Sequence, residues 1–277
     1  MGTKDSLEQL NATANRIRLH VIEMTCAAGS GHPGGSMSSA ELFTALYFGG
    51  VMRHDPKNPD WDGRDKFVLS KGHVAPGLYA TLAEAGYFPK EELLTLRKLG
   101  SRLQGHPARG KLPGIEMSTG SLGQGLSMSC GLALAAKLDK KDTRVFCLLG
   151  DGELQSGQNW EAMMLASHYK LNNLTIFIDR NRLQIMGRTE ETMSIEPLAA
   201  KLDAFGFRVM EIDGHNIKKI MAACDKAKRS SVPTAVIMRT VKGKGVSFME
   251  NNADFHGRCC TPDEKEKALS ELRGRAR

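Results

Sequence analysis

The chain has 277 residues, enough for a substantial core in one large domain or two small ones, and its 41% hydrophobic and 25% charged residues are the balance of a soluble globular protein. The formal charge of +7 raises nucleic acid as a partner, but Lys and Arg are dispersed apart from the tail Arg273-Gly-Arg-Ala-Arg277 and aromatics are only 6%, which disfavours it, whereas a basic balance suits small anionic substrates. No apolar run approaches the roughly 18 residues of a membrane span, the polar start Met1-Gly-Thr-Lys-Asp-Ser6 is not that of a signal peptide, and six cysteines without Cys-x-x-Cys spacing read as reduced thiols of a cytoplasmic protein.

Leu7, Leu10, Ala14, Ile17, Val21 and Met24 recur at steps of three and four and predict a long amphipathic opening helix. It stops at Gly29-Ser-Gly-His-Pro-Gly-Gly-Ser36, which is glycine-rich enough to predict an irregular loop around His32. A helix from about Ser38 to Val51 follows. Lys66-Phe-Val-Leu-Ser70 reads as a short buried strand that delivers Lys71-Gly-His73 to its end, where the next helix begins near Val74. Pro89 starts a further helix, expected to run to about Gly100, with Glu91 and Glu92 favourably placed in its first turn.

Residues 101–122 have almost no periodicity, and a loop of that length in a compact domain is functional or mobile. It carries Gln104-Gly-His-Pro107 and Ser118-Thr-Gly-Ser-Leu-Gly-Gln-Gly125, the latter leading into a small-residue helix from Gly125 to Lys137. Met128, Met163 and Met164 read as core filler.

Two apolar runs, Val145-Phe-Cys-Leu-Leu149 and Leu174-Thr-Ile-Phe-Ile178, flank a helical pattern from Asn159 to Lys170. A crossover of this length joins parallel strands, so both following turns fall at the carboxyl edge of one sheet, where open α/β folds bind ligands. The first turn is Gly150-Asp-Gly-Glu153 and the second carries Asn181. Asp151 offers a carboxylate, Asn181 an amide oxygen, and carbonyls after Asn181 share their space. Such ligands suit Mg²⁺ or Ca²⁺. The amides of Gly152 and Glu153 are expected to meet an anion, which makes a metal-bridged diphosphate the natural occupant. Taken alone, Gly-Asp-Gly is equally an ordinary strand-to-helix turn.

Two further βα units are expected: a helix near Glu196–Ala204, a strand Phe207–Ile212, a helix capped by Asn216 and reaching Lys228, and a strand Thr234–Met238. His215 reads as structural. Val241-Lys-Gly-Lys-Gly245 is a glycine-basic loop able to receive phosphate, Phe255-His256-Gly257 a further histidine loop, and Pro262–Arg273 a closing helix. With no repeat or linker, residues 1–277 read as one α/β domain, an open and mainly parallel sheet with helices on both faces. The chain has no Gly-x-Gly-x-x-Gly or P-loop motif, which disfavours a generic nucleotide site.

Gly150-Asp-Gly152 with Asn181 resembles the thiamine-diphosphate motif, and Gly-Asp-Gly-Glu-Leu-Gln-Ser-Gly-Gln-Asn-Trp-Glu161 resembles transketolase closely. Ser30-Gly-His-Pro-Gly34, Lys71-Gly-His73, Gln104-Gly-His-Pro107, Ser118–Gly125 and Phe255-His-Gly257 are similar to further motifs of that family, in the same order along nearly the whole chain. Gly-Asp-Gly…Asn is also shared by deoxyxylulose-phosphate synthase and 2-oxoacid dehydrogenase subunits, and the four histidine loops favour transketolase over these. The intact metal ligands weigh against a non-catalytic scaffold.

The resemblance implies thiamine diphosphate as cofactor, with Mg²⁺ (or Ca²⁺ or Mn²⁺) held by Asp151, Asn181 and the Leu183 carbonyl. It implies that His73 meets the diphosphate, His256 the diphosphate and substrate, and His32 and His106 the sugar hydroxyls. The Gly120-Ser121-Leu122 loop then borders the cofactor, with the Gly120 backbone at the aminopyrimidine and Leu122 at the thiazolium, while Ile185 packs on it. The glutamate that activates the ring lies in the next domain of a full-length transketolase. The expectation is therefore a partner chain, the transketolase C-terminal subunit with its pyrimidine-binding domain, in a two-fold heterotetramer acting on sugar-phosphate-type substrates. Ser156 departs from the glutamate common in full-length relatives, while Glu161 keeps its place.

Overall fold

The computed structural model describes residues 6–274, so the start before Ser6 and the last three residues of the basic tail lie outside the described residues. Strands β1 (Lys66–Leu69), β2 (Val145–Gly150), β3 (Leu174–Arg180), β6 (Arg208–Asp213) and β7 (Thr234–Arg239) form one sheet in the order β1-β2-β3-β7-β6, every pairing parallel. A separate antiparallel hairpin, β4 (Leu183–Gln184) with β5 (Gly187–Arg188), projects after β3. The sequence pattern had not indicated it, because a two-residue strand has no period to read.

Alternate residues of the central strands enter opposite cores. Phe67, Phe146, Leu148, Phe177, Val236 and Met238 pack towards α1 (Leu7–Ala28), α2 (Pro33–Ser38), α3 (Ala40–Tyr47), α4 (Ala75–Glu84), α9 (Ile217–Lys228) and α10 (Pro262–Gly274). Val68, Val145, Cys147, Leu149, Ile176 and Ile178 pack towards α5 (Gln124–Leu138), α6 (Gly157–His168) and α8 (Leu198–Ala204). The one-turn α7 (Thr189–Thr192) follows the hairpin. Burial on both faces explains why the strands read as continuous apolar runs. The expected α/β architecture is therefore present.

Several boundaries differ from the sequence pattern. The glycine-rich stretch after α1 is irregular only to His32; Pro33 occupies the first turn of α2, where its missing N–H costs nothing, and the chain breaks again at Ser39 before α3. The helix expected from Pro89 to Gly100 is only a 3₁₀ segment, Lys90–Thr95, followed by a turn with Arg97 at φ 59°. In α5, Ala133 and Ala136 pack inward while Gly131 and Ala135 face outward. Met163 is buried as expected, but Met164 is 59% exposed.

All strands being parallel, their carboxyl ends share one edge. There Lys71, which follows β1, donates to Asp179 on β3, and both side chains are essentially fully buried, at 2% and 0% exposure. Lys71 Nζ also donates to Ser39 Oγ at 3.0 Å. Asp179 accepts from Ser38 Oγ at 2.6 Å, from Asn181 Nδ2 at 3.1 Å and from the Thr240 hydroxyl. Burial pushes the Asp179 carboxyl up, but Lys71 and the hydroxyl donors outweigh it and hold it below its usual range. A second buried network joins Arg18, bidentate on Glu41 at 2.6 and 2.7 Å, to His215, whose Nδ1 lies 3.0 Å from Glu41 and whose Nε2 accepts from the Val241 amide at 2.9 Å. His215 is thus structural, as expected, and it fixes the loop after β7.

Removing Asp179 strands an ammonium in the interior. Asp179→Ala is expected to cost about 3–5 kcal/mol in urea denaturation, whereas Lys71→Met with Asp179→Leu costs markedly less, since no charge is then left unpaired.

Candidate active site

The turns after β1, β2, β3 and β7 contribute to the site, and glycine permits its loops to touch. A Cβ on Gly34 would lie 2.8 Å from the Phe255 carbonyl, and one on Gly72 would lie 2.8 Å from the Gly120 amide and the Thr119 carbonyl carbon. The first histidine loop therefore sits directly on the last, and the second sits on the Thr-Gly-Ser loop. The result is convergence of the four predicted histidines. The ring of His32 lies 5.1 Å from His73, 5.5 Å from His256 and 6.3 Å from His106, and His73 stacks on His256 at 5.0 Å.

Below them opens a cavity of about 340 Å³, lined by Lys71, His73, Lys242 and His256 and by the turns around Asp151 and Asn181. Of the residues singled out from sequence, Leu122, Gly152, Glu153, Leu183 and Ile185 also line it, whereas His32, His106, Gly120 and Ser121 do not. His32 and His106 join through the ring cluster instead, and Gly120 lies against His106, whose ring atoms stand 3.1 Å from where its Cβ would be.

The two polar turns begin side by side, Gly150 of β2 pairing with Asp179 of β3. Asp151 is buried and accepts from the amides of Gly152, at 2.8 Å, and Arg182. Burial, then repulsion from Asp179, pushes its carboxyl up to about 6. Asn181 Oδ1 accepts from the Leu183 amide at 3.0 Å. The Gly152 amide, expected to meet an anion, is instead turned onto Asp151, its immediate neighbour. The Glu153 side chain acts as a brace, accepting from Ser70 Oγ and from the amides of Gly123 and Gly150 at 3.0 Å, so it joins the ends of β1 and β2 to the Gly123 turn.

The donor set fits a hard divalent cation: one buried carboxylate, one amide oxygen and one main-chain carbonyl, with no thiolate or imidazole among them. A cation already reaches this set. Lys242 Nζ donates to the Leu183 carbonyl at 3.3 Å and to His256 Nδ1 at 2.8 Å. Burial, then Lys71, depresses this ammonium to about 8. The same causes keep the imidazoles neutral: burial and Lys242 depress His256 to about 3, burial and Arg97 depress His32 to about 4, and burial with Lys71 holds His73 well below its usual value. His106 is lowered by burial and Arg97. A cavity with two buried ammonium groups and neutral imidazoles is prepared for an anion.

Sequence reasoning missed Lys71 and Asp179. Their signal was a charged residue bordering an apolar strand, Lys71 two residues after Leu69 and Asp179 directly after Ile178. Lys242 was visible only as part of a glycine-basic loop. Glu161 is exposed and Ser156 half-buried.

Comparison with known proteins identifies the family and the fold. The family described as "Transketolase, thiamine diphosphate binding domain" matches residues 9–273. The 6-deoxy-6-sulfo-D-fructose transketolase subunit SqwG of Clostridium sp. (strain MSTE9) is 45% identical over 264 residues, covering 95% of this chain and 96% of that protein. An apulose-4-phosphate transketolase subunit from Actinobacillus succinogenes is 42% identical over 269 residues, covering 97% and 96%. The crystal structure of transketolase from Campylobacter jejuni superposes with a TM-score of 0.91 at 33% identity, covering 97% of this chain but 43% of that one. The chain thus spans nearly all of the separate subunits and under half of a full-length enzyme. It belongs to the transketolase family, through the thiamine diphosphate binding domain.

Proposed function

We propose that this chain is the diphosphate-binding half of a two-chain transketolase, moving a two-carbon ketol unit from a ketose to an aldose. The observation that carries the reading is the meeting of four imidazoles directly above a cavity edged by Asp151 and Asn181. When bound, thiamine diphosphate supplies the nucleophilic carbon and the electron sink for cleaving a bond beside a ketose carbonyl. Everything else falls to the protein.

Asp151, Asn181 and the Leu183 carbonyl would hold Mg²⁺, or Ca²⁺ or Mn²⁺ in its place. Lys242 would offset the charge of the diphosphate, and His73 and His256 would hydrogen-bond it. Leu122 and Ile185 offer the cofactor apolar surface, being 41% and 71% exposed. His32 and His106 orient the sugar, their neutral rings exchanging hydrogen bonds with hydroxyls near working pH. The substrate class is a sugar with an anionic group, by analogy with relatives named for a sulfonated ketose and a sugar phosphate.

Residues 1–277 form one diphosphate-binding domain in this reading. The pyrimidine-binding domain, its activating glutamate and most contacts to the substrate anion come from a C-terminal subunit in a two-fold heterotetramer. Met186, at 81% exposure beside the cavity, is apolar surface that such a partner would cover. In the family, carboxylates at the positions of Ser156 and Glu161 sit near the two-fold axis and link the two active sites. Ser156 cannot hold a proton as a glutamate does, so the family's link does not carry over to this chain, while chemistry within each site need not change. Six free cysteines support a cytoplasmic setting.

Titrating thiamine diphosphate with Mg²⁺ into the purified chain is expected to give a calorimetric binding signal that Asp151→Ala or excess chelator reduces at least about tenfold in affinity. Equal affinity in all three cases would contradict the metal assignment. In turnover assays the chain alone is expected to be inactive and to gain ketol transfer when mixed with its C-terminal subunit. His32→Ala and His106→Ala should then each lose about 10²-fold or more in kcat/KM at unchanged melting temperature; wild-type rates in both would remove the histidines from the reaction.

A further inference from the structure

Arg97 does not line the cavity, yet its charge acts on two of the site's histidines. The residue follows the 3₁₀ segment in a left-handed conformation, φ 59°, that a large side chain adopts only when its surroundings hold it there. Its amide donates to the Leu103 carbonyl at 2.9 Å. The guanidinium lies over Gly105, where a Cβ would stand 3.0 Å from Nε. From there Nη1 reaches Ser30 Oγ at 3.4 Å and Nη2 reaches His32 Nδ1 at 3.5 Å.

A guanidinium carries donors only. The His32 Nδ1 that meets it must therefore present its lone pair, and the ring proton sits on Nε2. That nitrogen has no hydrogen-bond acceptor among the described residues; it faces Gly257, whose Cβ would lie 3.7 Å away, within the ring cluster of His73, His106 and His256. His256 repeats the device. There the Lys242 ammonium occupies Nδ1 at 2.8 Å, which again leaves the proton on Nε2.

We propose that Arg97 is a positioning residue for ketol transfer, locking His32 in the Nε2–H tautomer so that it is a fixed hydrogen-bond donor to a ketose oxygen. The inference rests on the reading that the cavity takes a ketose. It assigns His32 a role more definite than hydroxyl orientation: with Nδ1 engaged and Nε2 already protonated, His32 cannot take a proton from the sugar. The charged and titratable groups facing the ring are Arg97, His106, Lys242, His73 and His256; burial, then Arg97, His106 and Lys242, depresses it to about 4, so the donor form persists through the neutral range.

Long-range ¹H–¹⁵N correlation spectra of the imidazoles in the purified full chain test this directly. The wild type is expected to show His32 as Nε2–H, titrating only near pH 4. Arg97→Met should give a mixture of tautomers and raise the midpoint by about one pH unit, while Arg97→Lys, which keeps the cation, should stay close to wild type. An Nδ1–H ring in the wild type, or an identical His32 titration in Arg97→Met, would overturn the proposal. The wild-type spectrum decides the tautomer even if Arg97→Met fails to fold. Because the readout needs neither cofactor nor turnover, its failure leaves the ketol-transfer reading standing, and inactivity of the assembled enzyme would leave the tautomer standing.

Discussion

A buried lysine–aspartate pair holds this site together. Lys71 and Asp179 lie at the ends of β1 and β3, and each is at most 2% exposed. Bringing two charges into the interior costs several kcal/mol per ion, so the arrangement survives only where further hydrogen bonds satisfy what the pair leaves over. The surrounding donors do so, and each comes from a different segment: Ser38 from α2, Thr240 from the turn after β7, and Asn181 from the turn after β3. The pair thus fixes three loops at once. Asn181, half of the expected metal-binding pair, takes its orientation from Asp179.

Electrostatics then propagates upward from that layer. Burial, and after it the ammonium groups of Lys71 and Lys242, depress His73 and His256, while burial and Arg97 lower His32 and His106. In return the cavity carries ammonium groups beside a carboxylate that burial and Asp179 push up to about 6. Such a site is prepared for an anion.

Much of this was legible in the sequence. The strands read clearly because their residues are buried on both faces, and the parallel crossover put the turns of Asp151 and Asn181 at one edge. The convergence of the histidine loops did not follow from the sequence, because His32, His106 and His256 do not sit at strand ends. What escaped notice escaped for physical reasons. Pro33 starts a helix inside a stretch whose glycines read as irregular, because at the first turn its missing N–H is no loss. The segment after Pro89 keeps good helix formers, yet the turn at Arg97 and Leu103 ends it early. Glycine spacing did not reveal which loops cross, since the contacts of Gly34 with Phe255 and of Gly72 with Gly120 join residues distant in the chain. Lys71 and Asp179 resemble surface charges until burial is known, and the Gly152 amide looked available until its own neighbour was seen to engage it.

The central claim is that the turns after β2 and β3 grip a divalent ion that secures a diphosphate at the sheet edge. A crystal structure of the chain with thiamine diphosphate and Mn²⁺, using anomalous scattering to locate the metal, tests it most directly. The account predicts an anomalous peak bounded by an Asp151 oxygen, Asn181 Oδ1 and the Leu183 carbonyl, with diphosphate beside Lys242 and His73. A peak elsewhere, or a diphosphate held at this edge with no metal between those three oxygens, would contradict it.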